Sequence, residues 1–234
     1  MVLPELSSQF VYARIGWALV FACLIAAAWP AAWRLPRRTL AAILGGSSIL
    51  MALPGAASPA WHLGLAFQYP SGLLLGLCLV KLHARWAGAP RAALMPPAAA
   101  AVLAVAGTCL YLDAAGLLSR GYYYAGFGPD AAPALAALLA GACAIAVLRG
   151  QARPQACALL VALSLFSLAR LPSGNLWDAL LDPLLWGWAV AALCAAGLRR
   201  LRVLPRRANP VADGAQEAPG LRPAGAEPFL PMKE

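Results

Sequence analysis

Long apolar runs, separated by short polar or basic segments, dominate the chain up to about residue 200. A run of about 18 or more apolar residues is typical of a helix that crosses a bilayer. Seven runs approach or exceed that length, over residues 15–33, 39–55, 62–80, 96–112, 131–148, 156–171 and 176–198. The pattern therefore predicts an all-α fold, a polytopic integral membrane protein with about seven transmembrane helices.

The predicted bundle ends where the composition changes. Residues 1–207 contain all the apolar runs, whereas residues 208–234 are rich in proline, glycine, alanine and acidic side chains. A segment of that composition has too few apolar side chains to form a core. We therefore predict a seven-helix transmembrane bundle over 1–207 and a disordered cytoplasmic tail over 208–234.

The basic residues predict the orientation of this bundle. If the N-terminus lies outside, 13 Lys and Arg residues before the tail fall on the inner side and 3 on the outer side. The inner ones are Arg34, Arg37, Arg38, Lys81, Arg85, Arg91, Arg149, Arg153, Arg199, Arg200, Arg202, Arg206 and Arg207. The outer ones are Arg14, Arg120 and Arg170. Because cytoplasmic loops are enriched in Lys and Arg, the asymmetry predicts an N-out, C-in, multi-pass protein of the cell (inner) membrane.

Overall composition agrees with a membrane protein and excludes an ordinary soluble domain. The chain is 62% hydrophobic and 12% charged, whereas soluble domains are about half apolar and about a quarter charged. A net charge of +9 in a soluble protein would favour nucleic-acid binding, but here the basic residues flank apolar runs. We predict the lipid bilayer as partner and no nucleic acid. Anionic lipid is expected at the basic segment made of Arg199, Arg200, Arg202, Arg206 and Arg207.

Few residues of the chain are suited to hold a metal or a cofactor. The two histidines, His62 and His83, lie at opposite ends of the third run, about 30 Å apart in a continuous helix. The six cysteines lie inside apolar runs without a CxxC pair, so we interpret them as small buried hydrophobes. HExxH and Walker A motifs are absent, and the cytoplasmic loops are too short for a catalytic domain. We predict no metal site and no cofactor.

The ends of the last two runs carry the most informative polar residues, Arg170, Asn175, Asp178 and Asp182. Asp178 and Asp182 are four residues apart and would share one face of a helix. A buried carboxylate needs a partner, and we predict that Arg170 contacts Asp182 while Asp178 is more exposed. The interpretation we favour is an Arg–Asp pair that locks the hairpin. The alternative is an outward-facing pocket that binds a substrate head group or relays a proton.

A second candidate site lies in the longest outer loop, residues 113–130. Arg120 precedes three consecutive aromatic residues, Tyr122, Tyr123 and Tyr124. Aromatic rings beside a cation can stack on sugars or lie against lipid head groups. The interpretation we favour is an aromatic belt that holds the loop on the membrane surface.

A third feature interrupts the third apolar run at Gln68-Tyr69-Pro70-Ser71-Gly72. Proline and glycine at this point predict a kink or a break in the helix. A broken helix can expose backbone groups to a substrate, as in transporters. Because proline is also common in membrane helices, a structural role is favoured here.

The stretch from Arg170 to Asp178 resembles the Arg-Gly-Asn segment of bacterial prolipoprotein diacylglyceryl transferases, which are also seven-helix proteins. The spacing of the residues differs, and the other motifs of that family have no counterpart in this chain. The resemblance therefore implies no residue roles, and catalytic residues are not assigned from it.

Three functions agree with these features. The small size and sparse intramembrane polar groups favour a non-enzymatic membrane subunit or accessory protein with a membrane protein partner. A carrier or permease for a small or lipidic solute would need a polar path. The residues available for such a path are Ser47, Ser48, Gln68, Ser164, Ser167 and Asp182. An outer-face enzyme acting on a lipid-linked substrate would use Arg170, Asp178 and Asp182, since two nearby acids can divide acid and base roles.

Overall fold

The computed structural model describes residues 4–30, 35–89 and 94–203, which form ten α-helices and one short 3-10 helix, with no strand in these ranges. The first five are α1 (Leu6–Ala28), α2 (Arg37–Ala52), α3 (Pro59–Phe67), α4 (Gly72–Ala87) and α5 (Pro97–Ala114). The other five are α6 (Tyr122–Ala125), α7 (Ala131–Leu148), α8 (Arg153–Ala169), α9 (Leu176–Leu180) and α10 (Pro183–Val203). The predicted all-α fold is confirmed for this part of the chain.

Two of the apolar runs form broken helices, whereas the others form the single helices α1, α2, α5, α7 and α8. The third run is divided into α3 and α4, as predicted. Gln68, which follows α3, has a φ of 58°, a backbone conformation through which an α-helix does not continue. The seventh run is divided into α9 and α10, which the apolar pattern did not predict.

Four helices in the described ranges are long and apolar enough to cross a membrane: α1, α5, α7 and the stretch of α10 from Pro183 to Leu201. Helix α8 is apolar but has 17 residues, and α2 and α4 have 16 residues each. A 16-residue helix is about 24 Å long, shorter than the roughly 30 Å hydrocarbon core of a bilayer. The protein therefore has four candidate membrane spans in its described part, and seven crossings stay a prediction.

A close backbone contact joins α4 to α8. Gly72 and Gly76, one helical turn apart on α4, face Ala162 and Ala158 on α8. A Cβ atom on Gly72 would lie 2.8 Å from the Cα of Ala162, and a Cβ on Gly76 would overlap the backbone of Ala158. Small residues at this spacing let helix backbones approach closely and increase the van der Waals contact between them. The contact fixes the N-terminal end of α4.

Helix α1 supports the same region from another side. It packs against α2, α3 and α4, and its Trp17 side chain is buried in the core formed with Leu75 of α4. Gly16 allows α1 to approach the break in the third run, because a Cβ atom there would lie 2.8 Å from Cγ of Pro70. Helix α1 therefore packs against the buried end of the break between α3 and α4, at Pro70.

The cysteines divide into two groups. The buried ones are Cys23, Cys78 and Cys143, and the exposed ones are Cys109, Cys157 and Cys194. The prediction that all are buried hydrophobes is wrong for the second group. Membrane helices are apolar around their whole circumference, so hydrophobicity alone does not separate a packed position from a surface position.

The C-terminal part of the chain is described only up to residue 203. Met1–Gly197 forms one compact unit, and a second unit begins at Leu198. Arg199 and Arg200 are exposed side chains of α10. Outside the described residues lie Arg206, Arg207 and the predicted tail 208–234.

Candidate functional site

The first helix break is a rigid, hydrogen-bonded turn. After Gln68 the chain runs through Pro70 to Ser71, whose hydroxyl oxygen accepts a hydrogen bond from Leu74 N at 3.1 Å and so caps α4. The hydroxyl of Tyr12 on α1 donates to the carbonyl oxygen of Pro70 at 2.7 Å. Both Pro70 and Ser71 are fully buried. The broken backbone thus finds internal partners for its polar groups.

The second helix break lies between α9 and α10. Leu181 is extended, with φ −145° and ψ 138°, and Pro183 begins α10. Asp182 lies between them, and its Oδ1 accepts a hydrogen bond from Leu185 N at 2.8 Å. The interpretation that Asp178 and Asp182 share one helical face is therefore wrong, because no continuous helix joins them. Proline at the first helical position and an aspartate before it are the usual way to begin a helix.

Asp182 joins the two breaks. Its Oδ2 accepts a hydrogen bond from the backbone N of Ser71 at 2.7 Å, while Oδ1 bonds to α10. The side chain is 5% exposed. The N-terminal ends of α4 and α10 therefore converge on a single carboxylate. The partners of this buried acid are thus the backbone N–H groups of Ser71 and Leu185.

Arg170 does not fill that role, so the predicted Arg170–Asp182 contact is wrong. Its guanidinium lies over the ring of Phe166, 4.9 Å from the centroid, and no ion pair joins it to Asp182. Arg170 ends α8 with a φ of 53°, which turns the chain away from the helix axis. The expectation that Asp178 is more exposed than Asp182 is confirmed.

Asp178 is held by two hydroxyl groups. The hydroxyl of Tyr123 lies 3.1 and 3.2 Å from the two carboxylate oxygens, and Ser173 Oγ donates to Oδ2 at 2.5 Å. Burial raises the pKa of Asp178, and the hydrogen bonds from Ser173 and Tyr123 partly oppose that rise. Burial and the charge of Asp178 raise the pKa of Tyr123 to about 12, so this phenol remains a proton donor at neutral pH.

The loop that carries Tyr123 is organised by Asp113 at the end of α5. Its carboxylate accepts hydrogen bonds from the backbone N atoms of Arg120, Gly121 and Tyr123 at 2.7, 3.1 and 2.9 Å. Asp113 is 4% exposed. Three backbone donors on one carboxylate fix the loop so that Tyr123 reaches Asp178.

The same loop is docked on the first turn of α9. Asn175 is buried, donates through Nδ2 to Tyr123 O at 3.1 Å, and caps α9 by accepting from Trp177 N. Trp177 Nε1 donates to Tyr122 O at 2.8 Å. A Cβ atom on Gly126 would overlap Asn175 Oδ1, so the loop and α9 meet without room for a side chain there. Asn175 is therefore a positioning residue.

The predicted loop contacts separate into two sets. Tyr123 faces Asp178, whereas Tyr122 and Tyr124 are exposed, by 56% and 68%. The rings of Tyr123 and Tyr124 meet edge to face, with centroids 5.8 Å apart. Arg120 contributes its backbone N to the Asp113 network and is itself exposed. The four residues therefore do not form one stacking surface.

A cavity of about 290 Å³ lies between the two helix breaks, and we call it the cleft. Its walls include Gln68, Tyr69, Tyr111, Tyr123, Asp178 and Asp182. The hydroxyl oxygen of Tyr111 is buried and has no hydrogen-bond partner in the described structure. A second cavity of about 510 Å³ shares Gln68 and Tyr69 with the cleft and is lined mainly by apolar atoms. A small polar site thus adjoins a larger apolar one.

Sequence reasoning missed three residues that shape this site. Ser71 was noted only as part of a kink, although a serine before an apolar helix is a common N-cap signal. Asp113 is the first residue of the predicted outer loop, and no local pattern indicates that its carboxylate binds three backbone donors. Tyr111 lies inside an apolar run, where an aromatic residue has no signature that separates a packing role from a site role.

Comparison with known proteins gives no relative from which a function could be transferred: the chain matches no protein-family model, no curated protein and no solved structure. Its described part is an all-α protein with four candidate membrane spans and one polar cleft between two broken helices.

Proposed function

We propose that the chain is a seven-helix, N-out, C-in protein of the inner (cytoplasmic) membrane that acts as a non-enzymatic membrane subunit or accessory protein. In addition to the four candidate spans, α2, α8 and the α3–α4 pair would cross the bilayer. The shorter helices can be accommodated by local thinning of the bilayer at a modest energetic cost.

The contacts between loops support the proposed division of the segments into two sides. Segments that the positive-inside rule assigns to the outer side, around Gln68, Tyr123 and Asp178, line one cleft. Segments assigned to the inner side also meet one another. Arg37 Nε donates to Trp86 O at 2.9 Å, and Arg85 Nη2 donates to Ala26 O at 3.2 Å. These contacts favour the alternation of sides that a seven-helix bundle requires.

Reporter fusions test the orientation directly. Fusions after Arg38, Arg91, Arg153 and Arg207 should report the cytoplasm, and a fusion near Gly128 should report the outside. A cytoplasmic signal at Gly128, or an outside signal at any of the other positions, would contradict the seven-helix assignment.

The non-enzymatic role is supported by how the two cleft carboxylates are held. Asp182 bonds to two backbone N–H groups, and Asp178 accepts from Tyr123 and Ser173. Each acid thus has a positioning role in the fold. The cleft walls that the structure describes include no histidine or cysteine to serve as a base or a nucleophile.

Purification in mild detergent tests the accessory role. It should yield a stoichiometric membrane protein partner, and isolation of the chain alone under several mild conditions would contradict this role.

An outer-face enzyme that acts on a lipid-linked substrate is the second candidate. It is favoured by one observation: the polar cleft adjoins the larger apolar cavity through Gln68 and Tyr69, as a site for a head group and a chain would. An Asp178→Asn variant that folds but loses a lipid-modifying activity of the membrane fraction would favour the enzyme. A carrier has less support, because Ser47, Ser48, Ser164 and Ser167 line neither the cleft, nor the apolar cavity beside it, nor a third cavity between α1, α4 and α8.

A further inference from the structure

The cleft has an unbalanced charge. Two carboxylates, Asp178 and Asp182, line it, and none of its lining residues in the described ranges is Lys, Arg or His. The nearest basic side chain along the chain, Arg170, is directed to Phe166 instead. The walls therefore hold two carboxyl groups and no basic side chain to pair with them.

The hydrogen bonds that hold the two acids leave this charge in place. Every donor described for them is neutral: the backbone N–H groups of Ser71 and Leu185 and the hydroxyl groups of Tyr123 and Ser173. A carboxylate offers about four lone-pair positions, and Asp182 uses two of them. The acids are thus fixed in position and still able to attract a cation.

The other walls of the cleft are aromatic. Four aromatic residues, Phe67, Tyr69, Tyr111 and Tyr123, line the same cavity. Aromatic faces attract organic cations, and cages of such rings beside an acid are a common way to bind ammonium groups. Tyr111 lines the cavity as a residue, while its hydroxyl oxygen is itself buried and has no hydrogen-bond partner in the described structure.

We propose that the cleft binds an organic ammonium group, with Asp178 and Asp182 supplying the charge and Phe67, Tyr69 and Tyr111 the aromatic walls. The group is either the head group of a zwitterionic lipid or a free amine, which share this chemistry. The inference goes beyond the accessory role and does not depend on the orientation of the bundle or on a protein partner.

Binding is tested on the full chain in a maltoside detergent that contains no choline group. Choline is titrated by calorimetry against its neutral isostere 3,3-dimethylbutan-1-ol and against glycerol 1-phosphate, at matched ionic strength. We expect saturable binding of choline alone. Equal binding of the neutral isostere, binding of the phosphate instead, or no choline binding would each overturn the proposal.

Two variants locate the site, and a matched one serves as control. Asp178→Asn should weaken choline binding about ten-fold or more, and Tyr111→Phe should weaken it less, because it removes only a hydroxyl. Asp130→Asn changes an exposed acid that does not line the cleft and should leave binding unchanged. Unchanged binding in both cleft variants would place any choline site elsewhere and reject the proposal.

A second pair of titrations separates the two sources of the ammonium group. Short-chain phosphatidylcholine and phosphatidylglycerol are added as monomers below their micelle concentrations. Phosphatidylcholine that binds more tightly than choline indicates a lipid head group, and choline that binds more tightly indicates a free amine. Tighter binding of phosphatidylglycerol than of either would show that the cleft prefers an anionic lipid and would overturn the proposal.

Discussion

The α4–α8 contact and the cleft lie close together, yet different forces hold them. At the α4–α8 contact, Gly72 and Gly76 bring two backbones against Ala158 and Ala162, and the interface depends on shape. In the cleft, carboxylates, hydroxyl groups and backbone amides from five separate segments bond to one another. The same helix, α4, takes part in both through its first two turns.

The difference predicts how each region responds to substitution. A backbone contact without spare volume does not accept an added side chain, because the rigid helices must move apart. A hydrogen-bonded site accepts changes of volume more easily but is destabilised when an acceptor is removed, since buried donors are then left unpaired. The two kinds of substitution therefore separate the contributions of the two regions.

The largest effect is expected for Gly76→Leu. The new side chain would meet the backbone of Ala158, and we expect a loss of about 3 kcal/mol or more in unfolding free energy, enough to reduce the amount of folded protein. Gly141→Leu on α7 is the matched control, because a Cβ atom there has no neighbour within 4 Å. Both are measured by denaturation in mixed micelles. Equal stability of the two variants would show that the α4–α8 contact is not closely packed.

A smaller loss is expected for Asp182→Ala, because two buried donors, Ser71 N and Leu185 N, lose their acceptor. We expect about 2 kcal/mol, measured in the same way. Asp130→Ala, at an exposed position, should change stability by less than about 0.5 kcal/mol.

The double variant Arg170→Ala/Asp182→Ala distinguishes this arrangement from a salt bridge. Since Arg170 packs on Phe166 and does not contact Asp182, the two losses should add to within about 0.5 kcal/mol. Recovery of stability in the double variant, as expected when both partners of a buried ion pair are removed, would show that the pair exists.

The sequence predicts uninterrupted helices more readily than it predicts the breaks that border the cleft. The run that forms α7 coincides with its helix because it is uninterrupted and flanked by Asp130 and Arg149. The break at Asp182-Pro183 was also visible in principle, since the residue before a proline is disfavoured in a helix. The apolar run on both sides concealed it, because membrane helices tolerate proline.

Contacts between distant segments could not be predicted in this way. Ser71 and Asp182 are separated by 111 positions along the chain, and neither has a local pattern that indicates the other. Arg170 was the nearest cation in sequence to Asp182, and proximity along the chain favoured the wrong partner. The arrangement of the cleft depends on how the helices pack, which a single sequence does not specify.

The smallest predicted effect concerns the pH dependence that Asp178 adds to stability. Burial raises the pKa of this acid above its usual value of 3.8, because the charged carboxylate is less well solvated than in the unfolded chain. The native state then binds more protons than the unfolded state between the two pKa values. The unfolding free energy of the protein must therefore fall as pH rises through that window.

Asp178→Asn should remove this contribution. The amide oxygen can still accept from Tyr123 or Ser173, so a constant offset from one lost hydrogen bond is expected at all pH values. Because the asparagine does not titrate, the stability of the variant relative to the unsubstituted protein should increase as the pH rises from 3.8 through the raised native pKa of Asp178. Thermal denaturation of both proteins across that range measures the difference, with Asp130→Asn as the exposed control. A relative stability that decreases with pH would mean that the charged form of Asp178 is favoured in the fold, so that hydrogen bonding outweighs burial in the cleft.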